Sequence, residues 1–312
     1  MSETPSQAWL ESVFEATKNW GRWGAEDERG ALNFITPQRR IAAAALVRDG
    51  ITVSCARDLD VDPSAENPRP AQHHMLVAGD AAASRGTPGL GATADYVGVA
   101  FHGMATSHID ALCHIVVEGR LFNGFPASEV KSTGAQRDAI GVAADGIVGR
   151  GVLLDVPRLR GVAWLEPREA ILPEELEAAE AEQRVRVGEG DVLLVATGRD
   201  ARRAELGPWD PSGVGLAGLD PRCIPWLAER RIAVLGSDGV SDPLPASRIP
   251  RWPLPIHQCC LTGMGVHLLD NLALAELAGA CAERKRWEFF FAIAPLRIPG
   301  GTGSPINPIA IL

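Results

Sequence analysis

Apolar and polar positions along the chain switch repeatedly between a helical and a strand period. Trp9, Leu10, Val13, Phe14 and Ala16 recur near helical spacing and predict a short amphipathic helix over residues 7–20. TPQRRIAAAALVRDG predicts a second helix, with Thr36 as N-cap, Pro37 in the first turn and Gly50 as its stop. ITVSCARDLDV reads as a strand, and residues 62–94, rich in Pro, Gly, Ala and polar side chains, read as a long loop. GIVGRGVLLDV and GDVLLVATG are strand-sized apolar runs that predict buried strands. PEELEAAEAEQRVRV predicts a surface helix whose charges form a solvated face. GLDPRCIPWLAERR predicts a helix feeding the strand IAVLGSDG, LDNLALAELAGACAERK an amphipathic helix, and WEFFFAIAPLRI a final strand. Helices and strands therefore mix without strict βαβ alternation, which predicts a mixed α/β fold rather than a doubly wound one. With no internal repeat and no break in composition, residues 1–312 are expected to form one domain, residues 1–50 being a helical extension packed on it.

Charge narrows the partners. A net charge of −9 without a basic block argues against nucleic acid, whose phosphates supply most of the affinity in such complexes. The first twenty residues have neither a basic nor an apolar region of the secretory kind, and no apolar run approaches the roughly 18–20 residues that span a bilayer. A protein off the membrane and in the cytoplasm is expected. Cys55, Cys113, Cys223, Cys259, Cys260 and Cys281 show no CxxC spacing, so reduced, mostly buried thiols are expected.

Several chemistries are absent from the sequence. It has no phosphate-binding G-x-x-x-x-G-K-[ST], no G-x-S-x-G elbow and no H-E-x-x-H. The glycines of residues 89–94 follow turn-rich sequence rather than a strand, so they do not read as a dinucleotide site. What stands out is SHIDALCH, residues 107–114. In an extended backbone His108 and Asp110 point to one face and Ile109 to the other. Imidazole with carboxylate suits zinc, manganese or ferrous iron. A short turn after Asp110 would fold His114 over the same pocket, as a further ligand or as a general base and acid. Downstream, Asp238, Asp242, His257 and Asp270 are polar candidates. GSDG and SDP are also ordinary turn sequences, so Asp242 is read as a turn residue, and Asp270 equally as a ligand or as the cap of the next helix. His267 is read as structural. His73 and His74 remain open between reaching the site and lying exposed in a loop.

These residues resemble the metal-dependent cyclase/hydrolase superfamily that includes bacterial kynurenine formamidase (arylformamidase) and isatin hydrolase. The family core is H-x-G-T-H-x-D-x-P-x-H, and residues 107–114 match its T-H-x-D-x-P-x-H half, with Ser for Thr and Leu112-Cys113 at the P-x positions. NWGRWGAEDERGALNFITP, ENPRP, LAERRIAVLGSDGVSD and PLRIPGGTGSPINPIAIL look like the longer bacterial branch of that family, so the resemblance spans nearly the whole chain. It implies a swivelling β/β/α fold, a homodimer or homotetramer, and one or two divalent ions, Zn or Mn. It implies that His108 and Asp110 are metal ligands, His114 the acid/base, His257 a ligand at the second metal position, and Asp270 a shorter equivalent of a family glutamate. One position departs. The family's first histidine, four residues before His108, is here Met104, and a thioether is a poor substitute for imidazole on these metals. His102 can replace it if the chain bends at Gly103, since a straight strand would leave it about 20 Å away. The implied activity is hydrolysis of a small cyclic or aryl amide, lactam or lactone. Alternatives are cyclisation or dehydration of a polyketide-like or dicarbonyl intermediate at the same site, or a metal-free binding relative. Trp20, Trp23 and Phe101 are candidate pocket aromatics.

Overall fold

The computed structural model describes residues 5–80 and 90–312. Its helices are α1 (Gln7–Thr17), α2 (Pro37–Ala44), α3 (Val156–Arg160), α4 (Pro173–Gln183), α5 (Arg199–Leu206), α6 (Cys223–Arg230), α7 (Pro255–His257, continued by a π-turn segment to Met264) and α8 (Ala275–Arg284). The strands are β1 (Thr52–Ser54), β2 (Gln72–Val77), β3 (Ala94–Gly98), β4 (His108–Asp110), β5 (Val130–Lys131), β6 (Gly134–Ala135), β7 (Ile147–Asp155), β8 (Ala170–Ile171), β9 (Val192–Ala196), β10 (Gly218–Leu219), β11 (Val234–Ser237), β12 (His267–Asp270), β13 (Glu288–Ile293), β14 (Gly303–Pro305) and β15 (Ile309–Ile311). Nine of them form one sheet in the order β1-β15-β13-β7-β9-β11-β12-β4-β14. The centre, β7-β9-β11-β12, is parallel and its connections carry helices; the flanks are antiparallel. The fold is mixed α/β, as the sequence pattern predicts.

The sheet must curl. β14 and β15 lie seven strand positions apart, about 34 Å on a flat sheet at ~4.8 Å per strand. Only residues 306–308 join them, a linker that reaches about 14 Å fully extended. Alternation along the strands divides the core between the two faces. Val152, Leu154, Leu193, Val195, Leu235 and Leu268 pack with α1, α4 and α6 on one face. Leu153, Val192, Leu194, Leu269, Phe289 and Phe291 pack with α8 on the other.

Three expectations need correction. The second helix ends at Ala44, not at Gly50. Beyond it the amides of Asp49 and Gly50 donate to Leu312 O, which draws the chain out of the helix and into β1. Residues 62–94 are not simply a loop. β2 and β3 pair antiparallel as a ribbon standing off the body, with residues 81–89, and so the first of the glycines at 89–94, outside the described residues. The charged face of α4 is not wholly solvated, because Glu180 is buried and bonded to Arg230 and to Val187 N. All six cysteines are free and buried. Among the described residues no helix is long and apolar enough to cross a membrane.

Candidate metal centre

β4 is short, but it is pinned between β12 and β14. Ile109 faces Leu269 across the pair and enters the core, which turns His108 and Asp110 to the opposite face. Asp270, the last residue of β12, lies directly across from His108. It sits within the strand, and α8 begins five residues later with Leu274 at its cap, so Asp270 is placed at the cluster rather than at a helix start. The turn after β4 is set by Ala111 N donating to Thr302 O, Cys113 N to Asp138 O and His114 N to Ala111 O. It brings His114 back over the strand, with Nε2 3.9 Å from Asp110 Oδ1. His257 arrives from the crossover between β11 and β12, at the end of the short helix that Pro255 opens.

His102 also reaches the cluster. Its Nδ1 is 2.9 Å from Asp110 Oδ1, and its ring stacks on His114 with centroids 3.8 Å apart. The bend foreseen at Gly103 is present, and Met104 turns the other way, packing on the small cluster of Trp209, Leu216, Val240 and Leu244. Asp110 thus stands between two sets of donors. His102 and His108 lie on its Oδ1 side, with His108 Nε2 at 3.4 Å. His257 Nε2 is 3.8 Å from Oδ2 and 3.4 Å from Asp270 Oδ2. Two triads, His102-His108-Asp110 and Asp110-His257-Asp270, each converge within 4.8 Å and share Asp110.

The three imidazoles of these triads are fixed by their other nitrogen. His108 Nδ1 donates to Thr106 O at 2.8 Å, His257 Nδ1 to Asp242 Oδ2 at 2.6 Å, and His102 Nε2 is paired with the Thr302 hydroxyl at 3.0 Å. Each leaves one nitrogen aimed inward, which is how metal-binding histidines are usually oriented. Both Asp110 oxygens, His102 Nδ1 and Asp270 Oδ1 are buried without an aligned hydrogen bond, although His102 Nδ1 and Asp110 Oδ1 stand 2.9 Å apart. An orphaned buried carboxylate is costly, and a divalent cation would satisfy it. The donor set therefore fits a metal.

Protonation follows the same geometry. Burial alone would depress the His108 imidazole, but the Asp110 carboxylate and then Asp270 raise it to about 9. His257 is likewise carried well above the ordinary value, against its burial, by Asp242 and Asp270. Asp110 is held well below the usual carboxylate range despite burial, by His102 and His108. His114 goes down: burial, and the neighbouring histidines, outweigh the pull of Asp110. It is the member of the cluster whose ring has no fixed partner among the described residues, and its side chain is 29 % exposed, against 1 % for Asp110 and 6 % for His257.

Of the predicted residues, then, His102, His108, Asp110, His114, His257 and Asp270 all meet. Asp242 corrects the turn reading: it is buried and accepts from Ile256 N, His257 N and His257 Nδ1, so it orients a candidate ligand. Asp238 stays outside, accepting from the amides of Thr197, Gly198 and Arg199. His267 is buried with both ring nitrogens unpartnered, and burial pushes it down to about 3. His73 and His74 lie on the ribbon, His73 paired with Asp95 and His74 stacked on Tyr96. Phe101 borders the site, 4.6 Å from the His102 ring and 6.1 Å from His108, whereas Trp20 and Trp23 pack on Phe14 and Phe34 in the core. Thr302 and Thr106 escaped the sequence reading, and Asp242 entered it only as a turn residue. Only the repeated Gly-Gly-Thr-Gly around Thr302 offers a local sign of close backbone packing.

Residues 38–242 match the Cyclase family model. A comparison with curated proteins returned no significant match. Among solved structures, one described as a novel cyclase is 34 % identical, covers 95 % of this chain and 100 % of its own, and has a TM-score of 0.85. Isatin hydrolase A from Labrenzia aggregata is 22 % identical over 88 % of this chain and 98 % of its own, with a TM-score of 0.60. A structure described as a predicted metal-dependent hydrolase from Bacillus stearothermophilus is 16 % identical over 83 % of this chain and 97 % of its own, with a TM-score of 0.50.

Proposed function

The chain belongs to the Cyclase family, and from that premise we propose that it is a metal-dependent hydrolase of a small cyclic or aryl amide, lactam or lactone. The observation that carries the reading is the buried Asp110 carboxylate, shared by two converging triads, with His102 and His108 on one side and His257 and Asp270 on the other. These five residues would hold one or two divalent ions, zinc or manganese. A bound divalent ion supplies positive charge that acidifies water and polarises a carbonyl. The structural relatives described as isatin hydrolase and as a predicted metal-dependent hydrolase support the class of reaction.

The residues divide the remaining work. His102 and His114 are the most exposed members of the cluster, so substrate reaches it across their stacked rings. His114, kept neutral chiefly by burial, accepts a proton from the attacking water and returns it to the leaving nitrogen or oxygen. Phe101 offers an apolar edge to the substrate ring. No serine nucleophile is involved, in keeping with the missing G-x-S-x-G elbow. The approach of His102 to Asp110 supports its taking the ligand place that Met104 leaves, and so favours this reading over a metal-free binding relative.

The test separates ligation from proton transfer. His114→Ala is expected to keep metal and lose at least a hundredfold in turnover, as removal of a general base does. His108→Ala and Asp110→Ala are expected to lose metal as well. Elemental analysis with a panel of lactams, aryl amides and lactones checks this. Normal turnover in all three variants rules the mechanism out, and solvent oxygen absent from the product would favour cyclisation instead.

We also propose that copies of the chain associate through the ribbon β2–β3. Its Met75, Leu76, Val77, Tyr96 and Val97 are 42–67 % exposed, an apolar load suited to burial against another chain. Light scattering of Leu76→Asp checks this, since the proposal expects a smaller particle than the wild type.

A further inference from the structure

The route from His102 to His108 poses a structural problem. The two rings must converge, their centroids being 5.3 Å apart, yet six residue steps separate them, one of several ways in which the loop could wander. Residues 103–106 form no strand or helix. The carbonyls of Gly103, Met104 and Thr106 are held from elsewhere. Asn271 Nδ2 donates to Gly103 O at 2.7 Å and to Thr106 O at 3.2 Å, and Arg199 Nη2 donates to Met104 O at 2.5 Å. Arg199 is 3 % exposed and lies under this loop. Its Nη1 donates to Asn271 Oδ1 at 2.7 Å and to Asp238 O at 3.2 Å, and Nη2 also donates to Glu66 Oε2 at 3.0 Å.

One planar guanidinium thus ties together the loop that carries Met104, the residue after Asp270 and the ENPRP segment. The charge is balanced locally: Arg57, Arg199 and Arg203 face Glu66, Asp200 and Asp238. Such a buried network is unexplained by any contact with the candidate metal centre, because Arg199 does not touch it. Its effect falls on the loop.

We infer that Arg199 is a positioning residue: with Asn271 it clamps the 103–106 carbonyls, turns Met104 onto Trp209 and so delivers His102 to Asp110. This rests on the metal-site reading for its consequence but not for its geometry. The clamp makes the longer spacing workable, with a histidine two residues before the family's usual place. A lysine cannot replace it, since a single ammonium cannot span both the Asn271–Asp238 side and the Glu66–Met104 side.

The experiment uses the full chain and Arg199→Lys, which keeps the charge that Glu66 requires. The four methionines provide a reporter independent of metal. In metal-free protein labelled at the methionine methyls, the variant is expected to shift or split the Met104 signal and to leave that of Met264, buried in the main core, in place. In calorimetric titration with Zn2+ alone, Arg199→Lys is expected to weaken binding ten- to a hundredfold, as loss of an outer support does. His102→Ala should weaken it at least as much, and adding Arg199→Lys to it should cost nothing more. An unmoved Met104 signal, an unchanged Zn2+ affinity, or losses that add in the double variant would each overturn the inference. Absence of Zn2+ binding by the wild type would sink the metal reading instead, and the Met104 signal would still decide the positioning role.

Discussion

Asp242→Asn gives the sharpest prediction about the centre, because it changes one atom. Both oxygens of Asp242 are used: Oδ1 accepts from Ile256 N at 2.8 Å, and Oδ2 from His257 N at 3.0 Å and from His257 Nδ1 at 2.6 Å. Asparagine must place an NH2 at one of these positions. At the first it confronts a backbone N–H and leaves that buried donor unsatisfied, at a cost of about 1–3 kcal/mol in stability. At the second it likewise leaves the buried His257 N–H unsatisfied, and it also confronts the imidazole, which answers by a tautomer change. The amide then donates to Nδ1, the proton moves to Nε2, and the nitrogen that faces Asp110 and Asp270 loses its lone pair. Loss of such an outer support costs about 10–100-fold in metal affinity, or roughly 1.4–2.7 kcal/mol. Calorimetric titration with Zn2+ and Mn2+ reads the affinity, and thermal unfolding of the metal-free proteins reads the stability. A variant that matches the wild type in both measurements refutes the argument.

Two further predictions concern the frame. Asp138 is fully buried with both carboxylate oxygens unpartnered, and burial, followed by Glu28 and Asp27, pushes it up to about 8. Its folded value lies above the unfolded one of about 3.9, so its own contribution to stability is greatest in acid and declines as pH climbs from 4 towards 8, by a ceiling on the order of 4 kcal/mol at pH 7. Asp138→Asn should remove that decline, giving a higher melting temperature than wild type at pH 7.5 and convergence near pH 4; parallel pH profiles would exclude the idea. Asparagine suits the backbone there, which has φ +56°. Gly303→Ala would drive a methyl into Ile109 O and to 3.0 Å from His102 Cε1 and Phe101. It should displace His102 and lower both metal affinity and melting temperature, and wild-type values of both would contradict the packing argument.

How much of this could be read from the chain varied with distance. His108 and Asp110 were legible because a strand of period two places them on one face, and His114 because four residues suffice for a turn. His102 was legible as a requirement, a bend at Gly103, but what makes the bend was not. Its supports, Arg199, Asn271 and Glu66, lie in three other segments of the chain, and no local pattern announces such a meeting. Asp242 was misread for the same reason: SDP is turn sequence, and only the arrival of His257 in space gives its carboxylate a second use. The end of α2 was missed because the amides of Leu46 and Val47 reach back only three residues and those of Asp49 and Gly50 go to Leu312 O, none of which a local stop signal announces.

The curled sheet has a consequence for the order in which the molecule assembles. β14 fastens the outer edge of β4, and β15 fastens β1 to β13 at the far side of the sheet. Residues 303–311 therefore act as a clasp, and until they emerge from the ribosome the strand bearing His108 and Asp110 has a partner on one side only. Pairings between segments so remote in sequence are slow to form. Assembly of the histidine–aspartate cluster and completion of the sheet are then late and coupled events, and a nascent chain stalled short of Gly303 would display the histidines without their geometry.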